Sequence, residues 1–297
     1  MSERHILVTG GQGQLGLELA RQAWPAEMTI HYPTRETCDI GSPESLLAYL
    51  RSYPFEAIIN CAAYTAVDKA EEERDLAFRI NGAAPGWLAD SSVPLIHVST
   101  DYVFDGTKAG PYVEDDPVAP LGVYGASKLE GERAVLAGQS RSVVLRTAWV
   151  ISARRANFLR TMLRVGATSP KLRVVDDQHG CPTSATDIAA ALRTIALRMI
   201  DDSAAPTGTY HFVNAGEATW CELAREIFAL SAAAGGPSAE VEAITTADYP
   251  TPAKRPANSR LSTSKITADY GIHPRDWRAA VRDIIDELVG PVPRTGA

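Results

Sequence analysis

The chain has 297 residues, enough for one large α/β domain or for a main domain with a smaller lobe. Its 45% apolar and 22% charged residues are typical of a folded globular protein, and a net charge of −7 without a basic block argues against nucleic acid as a partner. The first apolar run begins at Ile6 with no signal segment before it, and the longest apolar stretch, residues 188–200, is interrupted by Arg193 and Arg198, so we expect a cytoplasmic protein that does not enter a membrane.

Short β-rich runs alternate with helix-like segments in the first half of the chain, which is typical of βαβ units and a parallel sheet. Leu15, Leu19 and Ala23 mark one helical face, and Ser42 and Pro43 supply the N-cap and first turn of a second helix. The pattern predicts an α/β fold with a Rossmann-like, doubly wound parallel sheet. The predicted strands are Ile6–Thr9, Met28–His31, Ala57–Cys61, Leu95–Ser99 and Val143–Thr147.

A glycine-rich segment, residues 9–16, lies between the first predicted strand and the first predicted helix. It satisfies GxGxxG from Gly11 and GxxGxxG from Gly10. Glycines here allow a tight turn, a close approach of the backbone to a pyrophosphate and tight packing of helix on strand, and the helix N-terminus favours anions. We therefore predict that Gly10, Gly13 and Gly16 belong to a dinucleotide-binding loop.

The residues after the second strand bear on the choice of cofactor. An NAD site usually has an acidic side chain about 20 residues beyond the glycine loop for the ribose 2′-hydroxyl, whereas an NADP site has an arginine for the 2′-phosphate. Glu36 has the nominal spacing, but residues 32–34 directly follow the strand and Arg35 is the first charge encountered. We expect Arg35 to favour NADPH, with NADH left open and a simply solvated Arg35 as the alternative.

Tyr124 and Lys128 form a YxxxK pair on a predicted helix, where i,i+4 spacing places the phenol and the ammonium on one face. Residues 99–101 end the fourth strand, at the carboxyl edge where open sheets bind ligands. The lysine cation and an oxidised nicotinamide would bring the pKa of Tyr124 from about 10 towards the working pH. We expect Tyr124 to protonate a carbonyl oxygen while the cofactor supplies hydride, Thr100 to hold that oxygen and Lys128 to reach the nicotinamide ribose; the alternative is a solvent-facing pair.

After about residue 150 the predicted elements are more loosely spaced. We interpret residues 1–150 as a dinucleotide-binding Rossmann domain that carries the catalytic residues, and residues 151–297 as mainly a smaller C-terminal substrate-binding lobe, leaving open that the chain interleaves between the two. The predicted elements here are helices at 157–165, 186–200 and 220–230, strands at 172–175 and 209–213, and loops at 231–236 and 249–256.

Several longer stretches carry a resemblance that runs nearly end to end. They are Asn60–Glu71, His97–Gly106, Leu145–Val150, Asp177–Thr183 and Arg255–Leu261. Together with the glycine loop and YxxxK, they resemble the extended short-chain dehydrogenases/reductases, and among these the dTDP-4-dehydrorhamnose reductase family. The resemblance implies NADPH-dependent reduction of the 4-keto group of a sugar nucleotide, dTDP-4-dehydro-6-deoxy-L-mannose, to dTDP-L-rhamnose for surface polysaccharide.

The resemblance also implies site residues beyond the catalytic ones. Thr100, Asp101 and Trp149 would contact the sugar nucleotide, although Trp149 also fits core packing. Arg255 and Arg260 lie in a loop expected to supply cations to the diphosphate, which suits the planar guanidinium. The implied cofactor contacts are Gly13, Gln14, Leu15, Asp39, Ile40, Ala63, Tyr64 and Thr65.

No metal is expected. The four cysteines form no CxxC pair and the six histidines no HExxH motif, so we interpret the thiols as reduced and structural. Some relatives hold magnesium at a dimer interface through three glutamates; Glu18 and Glu287 match two of these, but the third position is Thr186. A metal-bridged dimer is therefore not expected, and the chain is taken as a monomer or a homodimer.

Two other functions remain open at this point. A sugar-nucleotide dehydratase or epimerase shares both motifs, but a dehydratase needs an acidic pair after the strand-end threonine, and Asp101 is followed by Tyr102. A cofactor-binding regulatory subunit, like that of methionine adenosyltransferase, also resembles this family. The joint presence of Thr100, Tyr124 and Lys128 favours an enzyme over a regulatory subunit.

Overall fold

A parallel six-stranded sheet forms the centre of the computed structural model, which describes residues 3–292. The strands in this part of the chain are β1 Arg4–Thr9, β2 Met28–His31, β3 Phe55–Asn60, β4 Leu95–Thr100, β5 Ser142–Thr147, β6 Val150–Ile151, β7 Lys171–Val175, β8 His179–Gly180, β9 Thr183–Ser184, β10 Gly208–His211, β11 Ala218–Thr219 and β12 Glu240–Ile244. The order across the main sheet is β2-β1-β3-β4-β5-β10, with every neighbouring pair parallel. The predicted doubly wound Rossmann-like sheet is confirmed.

Helices connect the strands and cover both faces of the sheet. They are α1 Gln14–Leu19, α2 Pro43–Leu50, α3 Arg74–Phe78, α4 Ala84–Ala89, α5 Val123–Ala137, α6 Phe158–Gly166, α7 Ala185–Asp201, α8 Trp220–Ala233, α9 Ser264–Tyr270 and α10 Trp277–Leu288. A π-helical segment, residues 79–83, joins α3 to α4. Within residues 3–292, no helix combines the length and the apolar character that crossing a membrane requires.

Successive side chains of the central strands point to opposite faces, and both faces are buried. On β3, Ile59 packs with Ile6 of β1 against α1 and α7, whereas Ile58 packs with Leu7 against α2 and α4. All four side chains are fully buried. This explains why the strands read as continuous apolar runs, and it places the carboxyl ends of β1, β3, β4 and β5 at one edge between two helical layers.

The sixth strand of the sheet comes from the second half of the chain. Residues 209–213 are predicted as a strand of the smaller lobe, but β10 pairs with β5, and α7 packs Ile188 and Leu192 into the core beneath the sheet. The main sheet therefore draws on both halves, and the division at residue 150 stays a prediction. The loop predicted from Ser231 is wrong at its start, because α8 continues to Ala233.

Helices α6, α8 and α10 form a second packed cluster with the parallel pair β7 and β12. Its core contains Leu223 and Ile227 of α8 packed against Trp277, Val281 and Ile285 of α10. The face of α8 that bears Ala224 and Cys221 covers the two-stranded sheet instead.

Helix α5 approaches its neighbours closely through glycines. A Cβ at Gly125 would lie 2.2 Å from the carbonyl oxygen of Tyr102, and a Cβ at Gly131 would lie 2.0 Å from that of Asn81. Both obstructions are backbone atoms, which a side-chain rotation cannot relieve. These two glycines therefore set how near α5 lies to the end of β4 and to the π-helical segment.

We predict that Gly131→Ala destabilises the protein, because overpacking of a buried site usually costs about 1–3 kcal/mol. The cost should exceed the gain of about 1 kcal/mol from the better helix former. Gly110→Ala is the matched control, because a Cβ at Gly110 meets no atom within 4 Å. Urea unfolding of both variants tests the prediction, and equal stability of Gly131→Ala and wild type would contradict it.

Candidate active site

Two joined cavities open at the carboxyl edge of the main sheet. Their volumes are about 720 Å³ and 270 Å³, and Gly10, Gln12 and Gly13 line both. Predicted site residues lining the larger cavity are Gly10, Gly13, Gln14, Leu15, Ala63, Thr65, Thr100, Asp101, Tyr124, Lys128 and Trp149. Those lining the smaller cavity are Gly10, Gly13, Arg35, Asp39, Ile40, Ala63 and Tyr64.

The glycine loop has a shape that side chains would prevent. Gly10 has a φ of +69°, and a Cβ there would lie 2.6 Å from the backbone nitrogen of Ala62. Gly16 lines neither of the two cavities; a Cβ at Gly16 would lie 2.4 Å from Gly11 Cα. Gly10 thus opens the cradle, while Gly16 lets α1 pack on the loop.

The segment after β3 is fixed by a buried asparagine. Asn81 Oδ1 accepts a hydrogen bond from Tyr64 N at 2.8 Å, and Asn81 Nδ2 donates to Tyr64 O at 3.0 Å and to Ser127 Oγ at 3.1 Å. Asn81 lies in the π-helical segment and is fully buried. It therefore ties the cavity wall at residues 62–65 to α5.

Lys128 is a buried cation with fixed partners. Its Nζ donates to Val98 O at 2.7 Å and lies 3.3 Å from His97 Nε2. Burial lowers the pKa of Lys128 to about 8, against the opposing charge of Glu132. Lys128 therefore still carries its charge at neutral pH.

His97 continues a chain of buried polar contacts across three strands. Asn60 Nδ2 lies 2.9 Å from His97 Nδ1, and Thr9 Oγ1 donates to Asn60 Oδ1 at 2.6 Å. Burial, followed by the charge of Lys128, holds the pKa of His97 well below its usual range, so the ring is neutral. This chain of contacts links Thr9, the last residue of β1, to Lys128 on α5.

Tyr124 lies one helical turn before Lys128 and is a neutral phenol. Burial is the main cause that raises its pKa, the carboxylate of Asp101 adds to the shift, and a hydrogen bond with Thr100 opposes it. The protein's own groups therefore act against the expected lowering, which also depends on a bound nicotinamide and stays a prediction. The protein's own groups thus keep Tyr124 in the form that can donate a proton.

Thr100 and Asp101 meet at the end of β4. Thr100 Oγ1 donates to Asp101 Oδ1 at 3.0 Å and accepts from Tyr102 N at 3.2 Å. Both residues are buried. Burial raises the pKa of Asp101 to about 6, although hydrogen bonds with Ser259 and Thr100 oppose the shift.

Trp149 lines the cavity and also packs against neighbouring residues. It lines the larger cavity, and its ring stacks on that of Trp220 at 3.6 Å between centroids with an angle of 9°. A Cβ at Gly180 would lie 2.3 Å from the Trp149 ring. The φ of Trp149 is +48°, so neighbouring contacts hold a conformation that is rare for a large side chain.

The two predicted substrate arginines lie in different surroundings. Arg255 lines a third cavity of about 510 Å³, and its Nη2 donates to Asp68 Oδ2 at 2.7 Å. Arg260 lines none of the three cavities; it donates to Asn258 Oδ1 and to Glu217 Oε2, which holds the loop together. Substrate contact by Arg260 stays a prediction without support from these interactions.

Arg35 lines the smaller cavity and is largely exposed there. Its Nε lies 3.5 Å from Asp39 Oδ2, and its side chain is 79% exposed. An ion pair this exposed contributes little to stability, so the guanidinium can change partners at low cost.

Several residues of the site were not predicted. His97 and Asn60 carried a signal, because each is a polar residue that directly follows two apolar residues of a buried strand. Asn81, Trp220 and Arg155 carried none, since their contacts with the site come from distant parts of the chain.

The two glutamates considered for magnesium already have cationic partners within the chain. Glu18 Oε1 lies 3.7 Å from Arg154 Nε, and Glu18 Oε2 lies 3.6 Å from Arg21 Nε. Arg154 also contacts Glu287. Guanidinium groups thus already satisfy the two carboxylates, and no cluster of three or more His, Cys, Asp or Glu side chains suited to a metal is found among residues 3–292.

Comparison with known proteins gives consistent matches. A family model described as the RmlD substrate binding domain matches residues 4–289. The chain is 43% identical to the dTDP-4-dehydrorhamnose reductase of Sinorhizobium fredii, over 96% of this chain and 97% of that protein. Crystal structures of dTDP-4-dehydrorhamnose reductases from Clostridium acetobutylicum, at 36% identity, and from Bacillus anthracis in complex with NADP, at 32%, both have a TM-score of 0.88. The match to the Clostridium structure covers 96% of this chain and 99% of that one. The match to the Bacillus structure covers 97% of this chain and 100% of that one.

A Rossmann sheet with a glycine loop, and beside it a tyrosine–lysine pair whose lysine is buried, defines an oxidoreductase of the extended short-chain dehydrogenase/reductase type. The family model spans nearly the whole chain, and relatives above 30% identity match it end to end. The chain belongs to the dTDP-4-dehydrorhamnose reductase family.

We predict that Asp101→Asn stabilises the protein at neutral pH. Because the pKa of Asp101 is raised from 3.8 to about 6, its ionised form destabilises the folded state. The resulting loss in the free energy of unfolding grows as the pH rises from about 4 to 6 and is constant above 6. It is at most about 3 kcal/mol.

Thermal unfolding at pH 4.5 and 7.5 tests this. The Tm advantage of Asp101→Asn over wild type should be larger at pH 7.5, whereas the exposed Asp115→Asn should give no pH-dependent difference. An advantage of equal size at both pH values would contradict the argument.

Proposed function

We propose that the enzyme uses NADPH to reduce the 4-keto group of dTDP-4-dehydro-6-deoxy-L-mannose, giving dTDP-L-rhamnose for surface polysaccharide. One observation carries the proposal: Tyr124, Lys128 and Thr100 line the same cavity as Gly10 and Gly13. The activity named for the relatives, dTDP-4-dehydrorhamnose reductase, supports this substrate. The complete catalytic set favours an enzyme over a regulatory subunit.

The proposed cofactor fits the smaller cavity and the part of the larger one beside the glycine loop. Gly10 and Gly13 leave room for a diphosphate, and Asp39 and Ile40 line the cavity at the other side. We assign Arg35 to the 2′-phosphate, which favours NADPH over NADH. A bound reduced nicotinamide supplies the hydride. The other proposed contacts are Gln14, Leu15, Ala63, Tyr64 and Thr65.

Tyr124 is the proposed general acid. Its environment keeps the phenol protonated, and a proton delivered to the carbonyl oxygen is worth on the order of 10² to 10⁴ in rate. Lys128, held by Val98 and His97, is assigned to the ribose of the cofactor. Its charge on the next turn of α5 stabilises the phenolate that remains after the proton has moved.

Thr100 is assigned to the carbonyl oxygen of the sugar. This role requires its hydroxyl, which donates to Asp101, to donate to the substrate oxygen instead. Asp101 and Trp149 line the cavity beside it and are assigned to the sugar nucleotide.

The nucleotide end of the substrate is assigned to the third cavity. Tyr102 lines both this cavity and the catalytic one, so the two adjoin. Trp220 and Tyr249 offer ring faces for a base, and Arg255 offers a cation for a diphosphate. We further propose that the protein is cytoplasmic, since the cysteines within the described chain are all free thiols, and that it is a monomer or a homodimer.

We predict that Tyr124→Phe lowers kcat by at least tenfold and leaves the Kd for NADPH nearly unchanged, because only the proton donor is removed. Lys128→Ala should lower kcat and also weaken the binding of NADPH. Turnover of dTDP-4-dehydrorhamnose with NADPH, followed by reduced-nicotinamide absorbance and product analysis, measures the effect.

Tyr53→Phe, at an exposed tyrosine far from the cavity, is the matched control and should keep wild-type kcat. If Tyr124→Phe retained more than about a tenth of wild-type kcat, its role as general acid would be excluded. A wild-type protein that oxidised no NADPH with this substrate would contradict the proposed function itself.

A further inference from the structure

Arg155 reaches the glycine loop from the other half of the chain. Its Nε donates to the carbonyl oxygen of Gln12 at 2.8 Å, across 143 positions of sequence. Arg155 and Gln12 both line the larger cavity, together with Gly10 and Gly13. A guanidinium is therefore held against the backbone that the proposed function assigns to the cofactor diphosphate.

The loop that carries Arg155 is held in a rare conformation. Arg155 has a φ of +56°, a left-handed value that glycine adopts readily and arginine does not. Asn157 fastens the same loop, because its Nδ2 donates to Gln14 Oε1 at 3.0 Å and to Ser152 O at 2.7 Å. Two side chains of one loop thus contact two residues of the glycine loop, Gln12 and Gln14.

The charge of Arg155 is not balanced by a carboxylate. The other arginines near the cavities are paired: Arg35 with Asp39, Arg255 with Asp68 and Arg154 with Glu287. Among residues 3–292, Arg155 forms no ion pair within 4.0 Å. Its positive charge is therefore directed at the cavity without local compensation.

We propose that Arg155 binds the diphosphate of the dinucleotide cofactor and joins the two halves of the chain when it does so. The inference rests on the proposed function and adds to it a cofactor residue outside the Rossmann motif. With Nε used by Gln12 O, the two Nη groups remain for phosphate oxygens, and the planar fork suits them.

The diphosphate is common to NADPH and NADH, which makes the proposal distinguishable from a contact with the 2′-phosphate. In Arg155→Ala, the Kd values for NADPH and NADH, measured by nicotinamide fluorescence, should both rise about tenfold. The difference in Kd between variant and wild type should be smaller at high salt. Arg35→Ala should weaken NADPH alone. Arg164→Ala, an exposed arginine on α6, is the matched control and should bind both as wild type does.

Arg155→Gly separates charge from loop conformation. Glycine tolerates the left-handed φ, so this variant should have a Tm at least as high as wild type and yet lose as much cofactor affinity as Arg155→Ala. Binding of dTDP alone should be unchanged in both variants.

Unchanged Kd values in Arg155→Ala and Arg155→Gly, a loss confined to NADPH, or a loss in the alanine variant only would each overturn the proposal and leave the proposed function standing. If the wild-type protein bound neither cofactor, the role of Arg155 and the proposed function would both be contradicted.

Discussion

The fixed position of the buried Lys128 ammonium is the constraint on which the rest of the site depends. A charge without contact to water needs partners in place before it is buried. Here the partners are the Val98 carbonyl oxygen and the His97 ring, both on β4, so α5 must lie close to that strand. Gly125 and Gly131 allow the approach, because any larger residue would meet backbone atoms.

The same constraint sets the chemistry of the cavity. Once Lys128 is fixed, the helical repeat places Tyr124 one turn away, at the end of β4 where Thr100 and Asp101 lie. The contacts from Lys128 through His97 and Asn60 reach the strand that leads into the glycine loop. One buried polar network thus connects the strand before the glycine loop with the helix that carries Tyr124.

The sequence predicts well what local spacing determines. The glycine loop, YxxxK and the strand-end threonine each follow from a repeat distance within one element, and the structure brings them to one cavity. What it does not predict depends on contacts between distant segments: β10 joining the main sheet, Asn81 fixing residues 62–65, and Arg155 lying over the glycine loop. A left-handed arginine in particular has no sequence signal, because its conformation is imposed by its neighbours.

The most direct test of the account follows the hydride. Wild-type protein would be incubated with NADPH deuterated stereospecifically at C4 of the nicotinamide and with dTDP-4-dehydrorhamnose, and the product examined by NMR. If the hydride passes directly from the cofactor to the carbonyl carbon, the epimer deuterated on the transferred face leaves one deuterium at C4 of dTDP-L-rhamnose, and the opposite epimer leaves none. Product without deuterium from either epimer, or deuterium at another sugar carbon, would contradict direct transfer from the cofactor to the carbonyl beside Tyr124.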